Sequence, residues 1–159
     1  MSVTVEQRTV PRGSDEYLDA AWDLKERIRA EDGLLKQEYG FFSDAYRRAT
    51  VYVYVSGNDD LVGFAAARRD GYILFLAVDP DHRGEGYGSK LVGDVAEDAR
   101  SVSCHARTTN ENALEFYRHL GFRIERRIDN YYEDGGSAYY LRLGDAEKLS
   151  ERISQFFRR

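Results

Sequence analysis

The segment from Tyr72 to Leu91, YILFLAVDPDHRGEGYGSKL, constrains this chain more than any other. A short apolar run meets a proline, then glycines at 84, 86 and 88, then apolar residues at helical spacing (Leu91, Val92, Val95, Ala96, Ala99). The run is strand-length and apolar at nearly every position, which predicts a strand buried on both faces. Glycines permit positive φ and close backbone approach. The helix they open begins with unpaired N–H groups and the positive end of its dipole. A strand that enters a helix through such a turn is an anion site suited to a pyrophosphate. No Gly-Lys-Ser/Thr closes the turn, and its G-x-G-x-G spacing is not that of a dinucleotide fingerprint. Taken alone, the turn is equally a tight loop feeding a helix.

The rest of the chain supplies a mixed α/β frame. A short strand is expected at Val3 to Val5, then breakers at Pro11 and Gly13. A helix is expected from Asp15 to Ala30 with Ser14 as its N-cap. Leu34 to Gly40 reads as a loop and Phe41 to Arg48 as a second helix. Thr50–Val55, Leu61–Ala67 and Tyr72–Val78 are strands joined by tight turns, an antiparallel meander. Beyond the glycine-rich helix come a strand at Ser101–Arg107, a helix capped by Asn110, and strands at Arg123–Ile128 and Ala138–Leu143. From Asp145 onward Leu149, Ile153, Phe156 and Phe157 mark an amphipathic helix that could pack on the domain or form a dimer contact. The expected division is one domain over 1–144 with 145–159 as its helical extension, in a monomer or homodimer.

Composition narrows the function. With 42% hydrophobic and 32% charged residues the chain is globular rather than disordered. Its net charge of -5 argues against a nucleic-acid partner bound through a broad basic surface. Cys104 is the single cysteine, and His82, His105 and His119 form no ligand cluster, so neither a disulfide nor a metal is expected. No apolar run has the length of a membrane span or a signal peptide. The expectation is a cytoplasmic protein with no membrane partner.

Arg83-Gly84-Glu85-Gly86-Tyr87-Gly88 resembles the R/Q-x-x-G-x-G/A signature of the GNAT acetyltransferase superfamily. The preceding LAVDPDHR resembles that family's fourth strand and its exit, and NENALEFYRHLGF (Asn110 to Phe122) its second cofactor segment. The order of elements matches from Val3 to Leu143. The resemblance implies a three-layer fold whose sheet splays between the strands ending at Val78 and Arg107, with acetyl-CoA in the opening. Leu76, Ala77 and Val78 would pair with the pantetheine, and the turn from Arg83 through Gly84, Glu85, Gly86, Tyr87 and Gly88 would hold the pyrophosphate. Asn110 and Tyr117 would complete the cofactor site. The implied reaction moves an acetyl group from acetyl-CoA to a primary amine.

Within that superfamily the details are similar to protein N-terminal acetyltransferases. Tyr117 occupies the place of a tyrosine that serves the leaving sulfur, although it also fits a core aromatic beside Leu114 and Leu120. His105, five residues before Asn110, stands where archaeal and eukaryotic members have a histidine and bacterial ones a glutamate. An imidazole there can accept a proton at neutral pH, and it equally fits a half-buried strand histidine. Tyr72 stands where some eukaryotic members carry a second catalytic residue, and is otherwise an ordinary strand aromatic. Asn130-Tyr131-Tyr132-Glu133-Asp134-Gly135 resembles the family's peptide-binding loop, with Gly136-Ser137 in place of an acidic pair. Tyr131 and Tyr132 are thus the expected contacts to a peptide N-terminus, with Leu34 to Tyr39 as the opposite wall. The alternatives are a lysine side chain, a polyamine or another small amine as acceptor, or an acyl-CoA-binding module without turnover.

Overall fold

The computed structural model describes residues 4–144 together with Leu149, Glu151 and Ile153. Within residues 4–144 seven strands and four α-helices follow one another as β1 (Val5–Val10), α1 (Leu18–Asp32), α2 (Tyr39–Arg48), β2 (Thr50–Ser56), β3 (Leu61–Ala67), β4 (Ile73–Val78), α3 (Tyr87–Glu97), β5 (Val102–Arg107), α4 (Glu111–His119), β6 (Arg123–Ile128) and β7 (Ala138–Leu143). The strands form two antiparallel ladders, β1-β2-β3-β4 and β5-β7-β6. A single parallel bridge, Tyr72 to Ser103, joins them. One apolar core lies between α1, α2 and the first sheet, centred on Phe42, Tyr46, Phe64 and Phe75. A second lies under α3 and α4 and spans both sheets through Leu91, Val102, Cys104, Tyr117 and Leu141.

Three expectations need correction. The first strand runs to Val10, because Glu6 to Thr9 pair with β2 as an exposed polar edge that carries no apolar alternation; Val3 lies outside the described residues. The first helix starts at Leu18 rather than at Asp15. The Glu16 carbonyl accepts from the Tyr46 hydroxyl at 2.5 Å, and the Ser14 hydroxyl accepts from the Glu16 N–H, so 14–17 is held as a turn. The strand at Ile73–Val78 is not buried on both faces, since Leu74, Leu76 and Val78 are only half-buried. The helical extension falls mostly outside the described residues, as do Phe156 and Phe157. Within it Leu149 is buried and Ile153 lies against Gly93 of α3.

β4 also carries a bulge. Ala66 pairs with Phe75 but Ala67 with Ile73, so Leu74 is extra and the register slips. Leu74 and Phe75 then both point to the α1/α2 core, while Leu76 and Val78 face α3. The extra residue lies just past the Tyr72–Ser103 bridge to β5.

Gly71 holds the two sheets together at that bridge. Its φ is +83°, and a Cβ there would come within 2.0 Å of the Ser101 carbonyl oxygen. Its own carbonyl accepts from the Ser103 N–H at 3.1 Å. A left-handed backbone costs an L-residue about 1–2 kcal/mol before any clash is counted. Gly71→Ala is therefore expected to lower unfolding stability by at least about 2 kcal/mol in urea titration, whereas Gly84→Ala, which meets nothing within 4 Å despite its φ of +81°, should cost less.

Candidate active site

Past the Tyr72 bridge, β4 has an edge with no strand beside it among the described residues. Asp79 donates its N–H to Val62 at 2.7 Å, which sets the hydrogen-bonding phase of β4 against β3. In an antiparallel ladder alternate residues point away from the partner. Leu76 and Val78 therefore turn their N–H and C=O groups into the opening between β4 and β5. This edge can accept an extended ligand as though it were another strand.

The floor of the opening leads to the first turn of α3. Gly86 caps that helix in the left-handed region (φ 89°), and no side chain caps it. The N–H groups of Tyr87, Gly88 and Ser89 precede the first helical acceptor bond, Lys90 N–H to Gly86 carbonyl, so they are available to an anion. A Cβ on Gly88 would lie 3.3 Å from the Phe116 ring, so glycine lets α3 approach α4. Arg83 is paired with Asp32 of α1 at 2.5 Å, and Glu85 with His82 at 3.0 Å. The groups at this turn left to face an anion are thus backbone amides. Beyond it Ser89, Asn112, Glu115, Phe116, His119 and Leu120 line a cavity of about 310 Å3 between α3 and α4. Asn110 sits at the head of α4, where its side chain accepts from the Ala113 N–H at 3.2 Å and caps the helix as expected.

At the other end of the opening the structure brings His105, Tyr72 and Tyr131 together. The Tyr72 hydroxyl lies 2.6 Å from His105 Nδ1. Tyr131 stacks on the imidazole with ring centroids 4.5 Å apart. Burial, followed by the Arg126 charge, pushes the His105 imidazole below its ordinary 6.5, which favours the neutral base. Burial pushes the Tyr72 phenol well up, so it stays an O–H group. On the other face of β5, Tyr117 is buried beside Cys104. Burial raises the Tyr117 phenol, and it pushes the Cys104 thiol up to about 12. Cys104 is thus a core thiol held in its protonated form, and the Tyr117 phenol stays neutral.

Two loops flank this cluster. Asp134 accepts from Arg107 at 3.1 Å, from the Gly136 N–H at 3.0 Å and from Lys36 at 3.4 Å. It ties the β6–β7 loop to the segment between α1 and α2, and its carboxyl is held down at about 2, first by Arg107. Arg107 also lies 4.0 Å over the Tyr132 ring. Leu34 is half-buried against the α1/α2 core, and Tyr39 is 43% exposed with its edge against Trp22. The Lys36–Asp134 contact places these segments face to face, as walls of one slot.

Several residues of this region escape a reading of the sequence. Lys25 is wholly buried and donates to the Gln37 carbonyl, which fixes the slot's first wall. Its position on the stripe of Leu18, Ala21 and Ile28 was the available signal. Arg126 and Tyr140 join His105 on one rung of the second sheet, and a bulge at Glu125 hides that alignment.

Comparison with known proteins bears on the family and the fold. The acetyltransferase (GNAT) family model matches residues 15–122. The chain is 39% identical over 80 residues to human N-alpha-acetyltransferase 30, covering 47% of this chain and 22% of that protein. It is 30% identical over 115 residues to the peptidyl-lysine N-acetyltransferase YjaB of Salmonella typhimurium, covering 65% of this chain and 77% of that protein. The crystal structure of Ard1 from Thermoplasma volcanium superposes with a TM-score of 0.73 at 25% identity, covering 89% of this chain and 97% of that one. The chain spans less than a third of the length of several curated relatives it matches.

The coupling of Arg126 to the imidazole has a direct test. A nearby positive charge disfavours imidazolium, so Arg126→Ala is expected to raise the His105 pKa in an NMR titration. An unchanged or lowered value would mean that Arg126 exerts no field at the imidazole.

Proposed function

The chain belongs to the acetyltransferase (GNAT) family, and we propose that it acetylates the N-terminal α-amine of a protein or peptide, using acetyl-CoA as co-substrate. The observation that carries this reading is the Tyr72–His105 pair under Tyr131, set in a slot walled by two loops that Asp134 ties together. A slot of that form admits the end of an extended chain, with its amine delivered to the imidazole. The likeness to an N-alpha-acetyltransferase supports both the reaction and an α-amine acceptor.

The opening suits acetyl-CoA. Leu76 and Val78 offer backbone donors and acceptors along an extended path, the α3 first turn offers amides to a pyrophosphate, and the cavity between α3 and α4 takes the nucleotide end. When bound, the thioester supplies an activated acetyl carbon that forms a C–N bond with the amine as its C–S bond breaks. The chain's residues handle the protons. When Nδ1–H of His105 donates to the Tyr72 oxygen, Nε2 carries the lone pair that removes the amine's proton, directly or through a water. Tyr72 fixes the ring and its tautomer, and the phenol of Tyr117 supplies the hydrogen bond or proton that the leaving sulfur needs. The Val78 N–H faces the opening, where it can stabilise charge on the carbonyl oxygen.

A second reading, acetylation of a lysine side chain, is favoured by the likeness to the peptidyl-lysine enzyme. The two are separated by measuring thiol release from acetyl-CoA with short peptides whose N-terminus is free or blocked, with and without lysine. We expect turnover to require the free N-terminus; turnover that follows lysine instead would replace the proposal with the second reading. His105→Ala should lower kcat/KM by about 100-fold and remove the acid limb of the pH–rate profile, which in the parent lies below pH 6.5 because the folded imidazole titrates below that value. Tyr131→Phe together with Tyr132→Phe should lower peptide turnover while leaving CoA binding intact.

A further inference from the structure

The second sheet has one face packed and one face open. Val102, Cys104, Ala106 and Leu141 lie in the core under α3 and α4. No residue of β5, β6 or β7 belongs to the core under α1 and α2. Ladder partners share a face, so the registers read the open face directly. Its rungs are Ser103–Arg142–Arg123 and His105–Tyr140–Arg126, with Arg107 next along β5. Four guanidinium groups therefore stand on the face that carries the imidazole, on a chain whose net charge is -5.

Two of the four are neutralised. Arg107 pairs with Asp134 at 3.1 Å and Arg142 with Glu125 at 3.7 Å. Arg123 and Arg126 are exposed, and among the described residues neither has a carboxylate within ion-pair distance. Arg126 lies 5.0 Å over the Tyr140 ring, and Tyr140 in turn lies 5.2 Å from His105. An aromatic ring thus bridges the imidazole to a cation that, among the described residues, has no carboxylate within ion-pair distance.

We propose that the acceptor is an acidic N-terminal segment, with a carboxylate among its second to fourth residues that pairs with Arg126 and, beyond it, Arg123. The proposal rests on the N-terminal acceptor reading. Neighbouring strands lie about 4.8 Å apart, so Arg126 is about 10 Å across the sheet from His105. An extended peptide rises about 3.3 Å per residue. With its amine at the imidazole, such a chain crossing β7 brings its third to fourth residue over Arg126, and the reach of the side chains extends the window back to the second. The same cation discriminates against a lysine in that window.

The test compares kcat/KM on free-N-terminus peptides that share a first residue and carry Ala, Glu or Lys at positions 2–4, plus a set with Glu only at positions 8–10. Exposed ion pairs contribute about 0.2–1 kcal/mol each, so glutamate near the N-terminus should raise kcat/KM about 2–5-fold over alanine and lysine should lower it. Arg126→Glu should invert the Glu-to-Lys ratio, a readout that cancels any common effect on His105. The near-glutamate preference should also shrink as salt rises. Equal turnover on all near-position peptides, equal benefit from near and distant glutamate, or an unchanged ratio in Arg126→Glu each overturns the acidic-substrate proposal while leaving N-terminal acetylation standing. Turnover that ignores the N-terminus altogether would instead remove the reading on which it rests.

Discussion

The parting of β4 from β5 is the constraint on which the rest depends. Two sheets meet through one backbone bridge, Tyr72 to Ser103, beside a glycine that no other residue can replace without collision. One extra residue, Leu74, then shifts the register of β4 against β3. Unpaired strand edges inside a protein are costly unless something satisfies them. Here the outward N–H and C=O groups of Leu76 and Val78 have no strand partner among the described residues, and the glycine-rich turn leads from this edge into the first turn of α3. The opening is thus a product of strand register, held open by packing on both sides.

Position within that opening sets protonation. Burial keeps Tyr72, Tyr117 and the Cys104 thiol in their neutral forms. Burial and the Arg126 charge keep His105 neutral as well. A lone pair on the imidazole and a proton on each phenol are the states that proton removal from an amine and hydrogen bonding to a leaving sulfur require. Asp134, by contrast, stays ionised under Arg107 and Lys36, and an ionised carboxylate is what the tie between the two walls needs. Three different environments within one small region thus produce three different ionisation behaviours from the same principles.

Much of this was legible in the residues. The meander, the helix after Gly86, the Asn110 cap and the last two strands follow from periodicity, turn chemistry and capping, and the structure reproduces their bounds closely. The convergence of Tyr72 and His105 came through resemblance, and the 2.6 Å contact shows the two side chains meeting. What escaped has common causes. β1 and β6 are exposed along most of their length, so no apolar alternation announces which way their residues point. Bulges at Leu74 and Glu125 break the period of two that any such reading assumes. Lys25 breaks the rule that a charge marks a solvated face, because its ammonium finds the Gln37 carbonyl and the Trp22 ring instead of water.

The central claim is that the edge of β4 and the first turn of α3 form one binding path. Amide hydrogen exchange with and without CoA tests it most directly. The account predicts new protection at Val78 and at Tyr87 to Ser89, and none along β1 and β2. Protection confined to other elements, or none at saturating CoA, would contradict it.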